Sequence, residues 1–181
     1  MKDDNVLEQF KTIEDLQRAV ESLISEHRNA QNGQSPGVMF RVVIPPNDAT
    51  TYVEGTQGGY RLVEGVRICD YKFETATGLQ YVIPDPTCGL SFSKSYSHLK
   101  NTRKMLARHA RGYKCPGPAH VAWWILSEFP VPDGLHFVKD PKDNNHYFLA
   151  VSERMHVETL VSKLKSVARH MTIMRDCMDL K

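Results

Sequence analysis

Three short segments carry residue types able to bind or transform a polar ligand. In Phe40-Arg41-Val42-Val43 an arginine interrupts an apolar strand-like run. A buried guanidinium there is costly unless it is paired, reaches solvent, or binds a phosphate or ribose. The spacing also fits an arginine on the wet face of an edge strand, its stem covering apolar surface. In Gly89-Leu90-Ser91-Phe92-Ser93-Lys94-Ser95 the alternation puts three hydroxyls on one side and Leu90 and Phe92 on the other. Tyr96, Ser97 and His98 follow and lead into a helical pattern, whose free N-terminal amides suit an anion. A solvent-facing edge strand with a serine cap satisfies the same spacing. In Asn144-Asn145-His146-Tyr147 a histidine opens a strand-like run that ends near Glu153. His146 is a candidate general acid/base or ribose-hydroxyl partner, and equally a strand-start histidine bonded to a carbonyl. Glu153 also suits the N-terminal charge of a following helix.

These segments sit in a recognisable frame. Residues 5–28 repeat apolar side chains every three or four positions, predicting an amphipathic helix. Residues 29–37, with Gly, Pro, Ser and Asn and no apolar residue beyond alanine, read as a linker. From Val38 the pattern is strand-like. VMFRVVI, TYVEG, YRLVEGVRI, YKFET and LQYVI predict a meander of short antiparallel strands, and GLSFSKS leads into a helix near 97–111. VAWWILSEF is either a strand or a buried helical turn, and LHFVKD and HYFLAVSE are strands. A second amphipathic pattern predicts a closing helix over roughly Met155–Met174. The order of elements is that of an α+β chain.

Composition narrows the classes. The chain has 181 residues, 41% hydrophobic and 24% charged, which excludes global disorder and collagen-like repeats. No apolar run approaches the roughly 20 residues of a membrane span, and the N-terminus does not read as a signal peptide. Cys69, Cys88, Cys115 and Cys177 are far apart and read as reduced thiols. His98, His109 and Cys115 match no compact zinc spacing, so no metal is expected. Net charge is +2 but unevenly spread: between Asp85 and Glu128 there is no acid, against seven Lys and Arg. Such a run attracts phosphate, nucleic acid or an acidic partner. No phosphate-binding glycine loop is present, so P-loop and dinucleotide folds are excluded.

In the order and spacing of its three segments the chain resembles the ADP-ribosyltransferase-like toxin effectors of bacterial type VI secretion. The likeness rests on Phe40-Arg41, on Gly89-Leu90-Ser91 with Ser93, and on His146-Tyr147 running through Met155 to Met171. It covers residues 38–175. It implies an α+β domain over 38–181, of short antiparallel strands in two small sheets closed by a C-terminal helix, with an N-terminal helix and linker over 1–37. It further implies NAD held between the sheets and attack on the bond joining nicotinamide to ribose. In that picture Arg41 grips a cofactor phosphate, Ser91 and Ser93 hold the nicotinamide side, and Tyr96 is another cofactor contact. His146, or in its place Glu153, takes the ribose hydroxyl and the catalytic role. The family's paired glutamates have no counterpart on the expected strand, so the resemblance assigns no catalytic carboxylate. Implied partners are NAD, a protein or nucleic-acid acceptor, and a cognate immunity protein. The implied location is the producer's cytoplasm, then, without a signal peptide, that of a target cell.

Other classes fit parts of the same sequence. A ribonuclease or deoxyribonuclease toxin would use His98 and His109 as acid and base, with Lys94 and Arg103 on phosphate. A non-enzymatic module would dock its basic helix on nucleic acid or an acidic protein.

Overall fold

In the computed structural model, the described residues are 37–95, 98, 99, 102, 120–126 and 128–174, together with 18, 21 and 22. The apolar run Val38–Val43 forms β1. Two-residue strands follow at Leu62–Val63 (β2), Val66–Arg67 (β3) and Lys72–Phe73 (β4), then Tyr81–Ile83 (β5) and Leu90–Ser93 (β6). Longer strands come next: His120–Ile125 (β7), Leu135–Lys139 (β8) and His146–Val151 (β9). Met155–His156 (β10), a helix over Val157–His170 (α1) and Thr172–Met174 (β11) complete the order. The chain is mixed α+β, as its alternating patterns predict.

Among the described residues there are three antiparallel sheets where two were expected. The largest runs β11-β7-β1-β6-β9-β8, a second β10-β5-β4, and the third is the β2-β3 hairpin. The large sheet is no meander, because only β8 and β9 are neighbours both in sequence and in the sheet. VAWWI resolves as a strand paired along its length with β1, from Val38 opposite Ile125 to Val43 opposite His120. TYVEG forms no strand. The short polar side chains before it capture the backbone instead: Asp48 accepts from the amides of Thr50 and Thr51, and Asn47 accepts from the amide of Val53.

The closing helix is shorter than the pattern suggested. Met155 and His156 pair with β5, and the β-branched Thr172 and Ile173 pair with β7, so sheet ladders claim both ends. The His156 side chain accepts from the Glu158 amide and caps α1. Val157, Leu160, Val161, Leu164 and Val167 are all buried at helical spacing, packed with Met39, Val43, Phe92, Trp124 and Leu149. Tyr71 enters this core with its hydroxyl donating to the Leu149 carbonyl at 2.8 Å, which satisfies its one polar group. Residues 18, 21 and 22 are helical, and the rest of the expected helix at 5–28 lies outside the described residues. The same is true of the helix expected at 97–111, apart from helical 98, 99 and 102. Among the described residues no helix is long and apolar enough to cross a membrane.

Candidate functional site

β1 is an interior strand, and Arg41 lies opposite Ala122 of β7 on the face that carries Met39 and Val43. The residue is 8% exposed, so it does not lie on a wet edge. Its Nη1 donates to the Ser91 carbonyl at 2.7 Å, and its Nη2 donates to the Tyr52 hydroxyl. The rings of Tyr52 and Phe92 flank the guanidinium at 5.8 and 5.9 Å, within cation–π range. Among the described residues no carboxylate pairs with it. A buried cation held by a carbonyl, a phenol and two rings keeps an unmet preference for an anion.

Behind Tyr52 stands a second guanidinium. Arg67 donates to both oxygens of Asp70, at 2.9 and 2.8 Å, and lies over the rings of Tyr52 and Tyr60 at 4.8 and 5.5 Å. Burial pushes the Tyr52 phenol above its ordinary value, against the pull of Arg41. Tyr52 therefore stays a neutral phenol that accepts from Arg41. The hairpin bearing Arg67 turns through Glu64 (φ 51°) and Gly65 (φ 83°), the doubly left-handed turn that two-residue hairpins favour.

β6 and β9 carry the remaining groups. Ser93 lies opposite His146 and Ser91 opposite Phe148, so the two serines and the histidine share one sheet face. The Ser91 side is exposed to the opening, whereas Ser93 is buried. The Ser93 hydroxyl donates to the Ser95 carbonyl at 3.0 Å and accepts from the Ser95 amide at 3.1 Å, which fixes the chain as it leaves β6. The turn from β8 to β9 braces two histidines. Asp140 accepts the Lys142 amide with Oδ1 and meets His146 Nδ1 with Oδ2 at 2.8 Å. Asp143 repeats the device: Oδ1 accepts the Asn145 amide, and Oδ2 meets His98 Nε2 at 2.7 Å. The Lys142 amide and then His146 hold the Asp140 carboxyl below its usual value. The Asn145 amide and then His98 do the same for Asp143. Among the described residues His98 Nδ1 is buried with no partner.

These groups line one cleft of about 670 Å³, whose wall includes Arg41, Tyr52, Ser91, Ser93, His98 and His146. That volume suits a small organic ligand. β1 and β6 are registered only at Phe40 opposite Ser93. The cleft follows this minimal pairing, reaching Arg41 from the core face and the serines and histidine from the other. Among the described residues of the wall the carboxylate is that of Asp48, which accepts from Thr50 and Thr51.

The structure thus brings Arg41, Ser91, Ser93 and His146 to one cleft, with His98 beside them. Glu153 is not among them. It is exposed beyond the far end of β9, beside Gly134, and a strand of that length separates it from His146 by roughly 20 Å. Lys94 lies next to the site without lining it. Tyr96, Arg103, His109 and Cys115 lie outside the described residues. Among the described residues no group of His, Cys, Asp and Glu could hold a metal. Tyr52, Arg67, Asp140 and Asp143 belong to the site and were not singled out from the sequence. Only the last two left a signal there, an Asp-x-x-Asp turn that ends three residues before His146. No protein-family model, curated protein or solved structure matches the chain.

Proposed function

We propose that the chain is an NAD-dependent ADP-ribosyltransferase-like toxin domain, delivered into the cytoplasm of a competing or host cell and held in check in its producer by an immunity protein. The observation that carries this reading is the meeting of Arg41, Ser91, Ser93 and His146 on one cleft of ligand size. Arg41 has a buried planar fork and no carboxylate partner among the described residues, which suits an NAD phosphate. The Ser91 hydroxyl faces the opening and can bond the nicotinamide amide. His146, its Nδ1 held by Asp140, can present Nε2 to a ribose hydroxyl. NAD supplies the scissile bond between nicotinamide and ribose. Among the described residues no glutamate lines the cleft, so charge developing on the ribose would be met there by His146, which Asp140 braces.

The test is release of nicotinamide when the purified protein meets NAD and bacterial lysate. Release is expected, with loss of at least tenfold in Arg41→Ala and in His146→Ala while both stay folded. A second reading draws on the pairing of both His98 and His146 with aspartates in the same cleft. Two braced histidines are the acid and base a phosphodiester cleavage needs. Degradation of RNA or DNA without NAD, lost in His98→Ala, would select that reading. A protein inert in both assays that still binds nucleic acid would leave the binding module.

A further inference from the structure

We infer that the cleft holds a subsite for an amino-bearing purine, the adenine of the dinucleotide, built from Tyr60 and Gln57. The inference deepens the NAD reading above and rests on it.

The Arg41 fork divides the wall. One prong donates to the Ser91 carbonyl, on the side of β6 and β9, and the other to the Tyr52 hydroxyl, on the side of Arg67, Tyr60 and Gln57. In a dinucleotide the pyrophosphate lies between the two nucleosides. A pyrophosphate on Arg41 with its nicotinamide half toward Ser91 and His146 therefore sends the other nucleoside toward Tyr52 and Tyr60.

That end of the cleft suits an uncharged ring. Tyr60 is 52% exposed, the one Phe, Tyr or Trp that is exposed among the described residues. The Arg67 guanidinium lies within 5.5 Å of its ring centroid and 4.8 Å of that of Tyr52. Asp70 holds both prongs of Arg67 and cancels its charge. The adjoining hollow that shares the two tyrosines carries Glu54 and Glu64 against Arg61, which disfavours a phosphate there. An exposed ring next to a fixed, neutralised guanidinium is a platform on which a base stacks.

The platform is held before any ligand arrives. Asn47 Oδ1 accepts from the Val53 amide and the Thr56 hydroxyl, each at 2.7 Å, and the Tyr60 amide donates to the Gln57 carbonyl at 3.1 Å. Gly58 and Gly59 take φ of 57° and 92° to close the turn between them. A base meeting a prearranged surface loses less to ordering.

Gln57 supplies the selectivity. It lines the cleft, is 5% exposed, and its Nε2 donates to the Thr56 carbonyl at 3.1 Å and hydroxyl at 3.2 Å. A carbonyl can only accept, so the amide orientation is fixed and Oε1 is the atom left to the ligand. An acceptor there favours a purine with an amino group at C6 over one with a carbonyl oxygen.

The experiment measures nicotinamide release by the full chain in bacterial lysate, less the release by lysate alone. The substrates are NAD and nicotinamide hypoxanthine dinucleotide, whose only change is a carbonyl oxygen in place of the 6-amino group. KM for the hypoxanthine compound should be about tenfold higher or more, because two acceptors then face each other. Gln57→Leu, checked for folding by melting, should bring the two KM values within about threefold. Tyr60→Ala should raise KM for both substrates on the order of tenfold, the weight of one stacked base, and Tyr60→Trp should restore it. Equal KM values for the two dinucleotides in the unaltered protein, or an unchanged KM in Tyr60→Ala, would overturn the inference and leave NAD use standing. No nicotinamide released from NAD would overturn both.

Discussion

Arg41 is an ionised side chain kept in the interior by a carbonyl, a phenol and two rings, without a carboxylate among the described residues. Each partner has a separable role. Tyr52→Phe removes one charge-assisted hydrogen bond, so stability should fall by about 1–2 kcal/mol, and NAD affinity by severalfold as the fork loses its fixed orientation. Calorimetry with and without NAD measures both. Arg41→Lys keeps the charge but loses the planar fork, so it should recover little of the activity that Arg41→Ala loses. The aspartates that brace the histidines set an acid limit. Both carboxyls titrate lower in the folded chain than their ordinary value of 3.8. Their stabilising contribution is therefore complete above about pH 4 and is lost as pH falls through the folded values. Thermal melting across the acid range should show this decline, and Asp140→Asn should flatten it. The same variant should cut nicotinamide release by tenfold or more at neutral pH, because an amide no longer selects the Nδ1–H tautomer of His146.

The strands act on the site through their register. β6 and β9 place Ser91, Ser93 and His146 on one face, and Gly89 lies just ahead of that pairing. A Cβ at Gly89 would stand 2.7 Å from the Leu149 carbonyl oxygen and 2.9 Å from Phe148 Cβ. The obstacle is backbone as well as side chain, so Gly89→Ala should cost about 1–3 kcal/mol and disturb the serines before it disturbs Arg41. Hydrogen exchange on β6 and β9 would localise the effect. Leu164→Ala in α1, fully buried in the core, should cost about 2–5 kcal/mol and lower melting without moving a cleft residue. At this scale the sequence was readable where periodicity was long. VMFRVV, LHFVK and HYFLAV became strands, and α1 kept its stripe over Val157–His170. It was less readable where two structures compete for the same residues. Met155-His156 and Thr172–Met174 continue a helical pattern yet find open sheet edges, and TYVEG has strand composition but sits after two side chains that bend it into a turn.

For the molecule as a whole, local pattern could not disclose the order of the large sheet, because its pairs join segments far apart in the chain. β1 meets β7 across roughly 80 residues of chain, a partnership decided by which faces bury one another. The candidate site was legible in the same uneven way. Arg41, Ser91, Ser93 and His146 stand out as polar groups in apolar runs, and the fold brings them to one cleft. Tyr52 and Arg67 did not stand out, since a tyrosine and an arginine in loop-like sequence carry no mark of the partner they will meet. Glu153 stood out for its position near a strand and helix, but strand length carries it away from His146. Arg41 and His146 can act together only if the cleft takes NAD in one orientation. A crystal structure with a non-hydrolysable NAD analogue tests that directly. A pyrophosphate oxygen should lie about 3 Å from the Arg41 guanidinium, with a ribose hydroxyl at His146 Nε2. An analogue bound away from Arg41, or a cleft left empty at millimolar analogue, would contradict it.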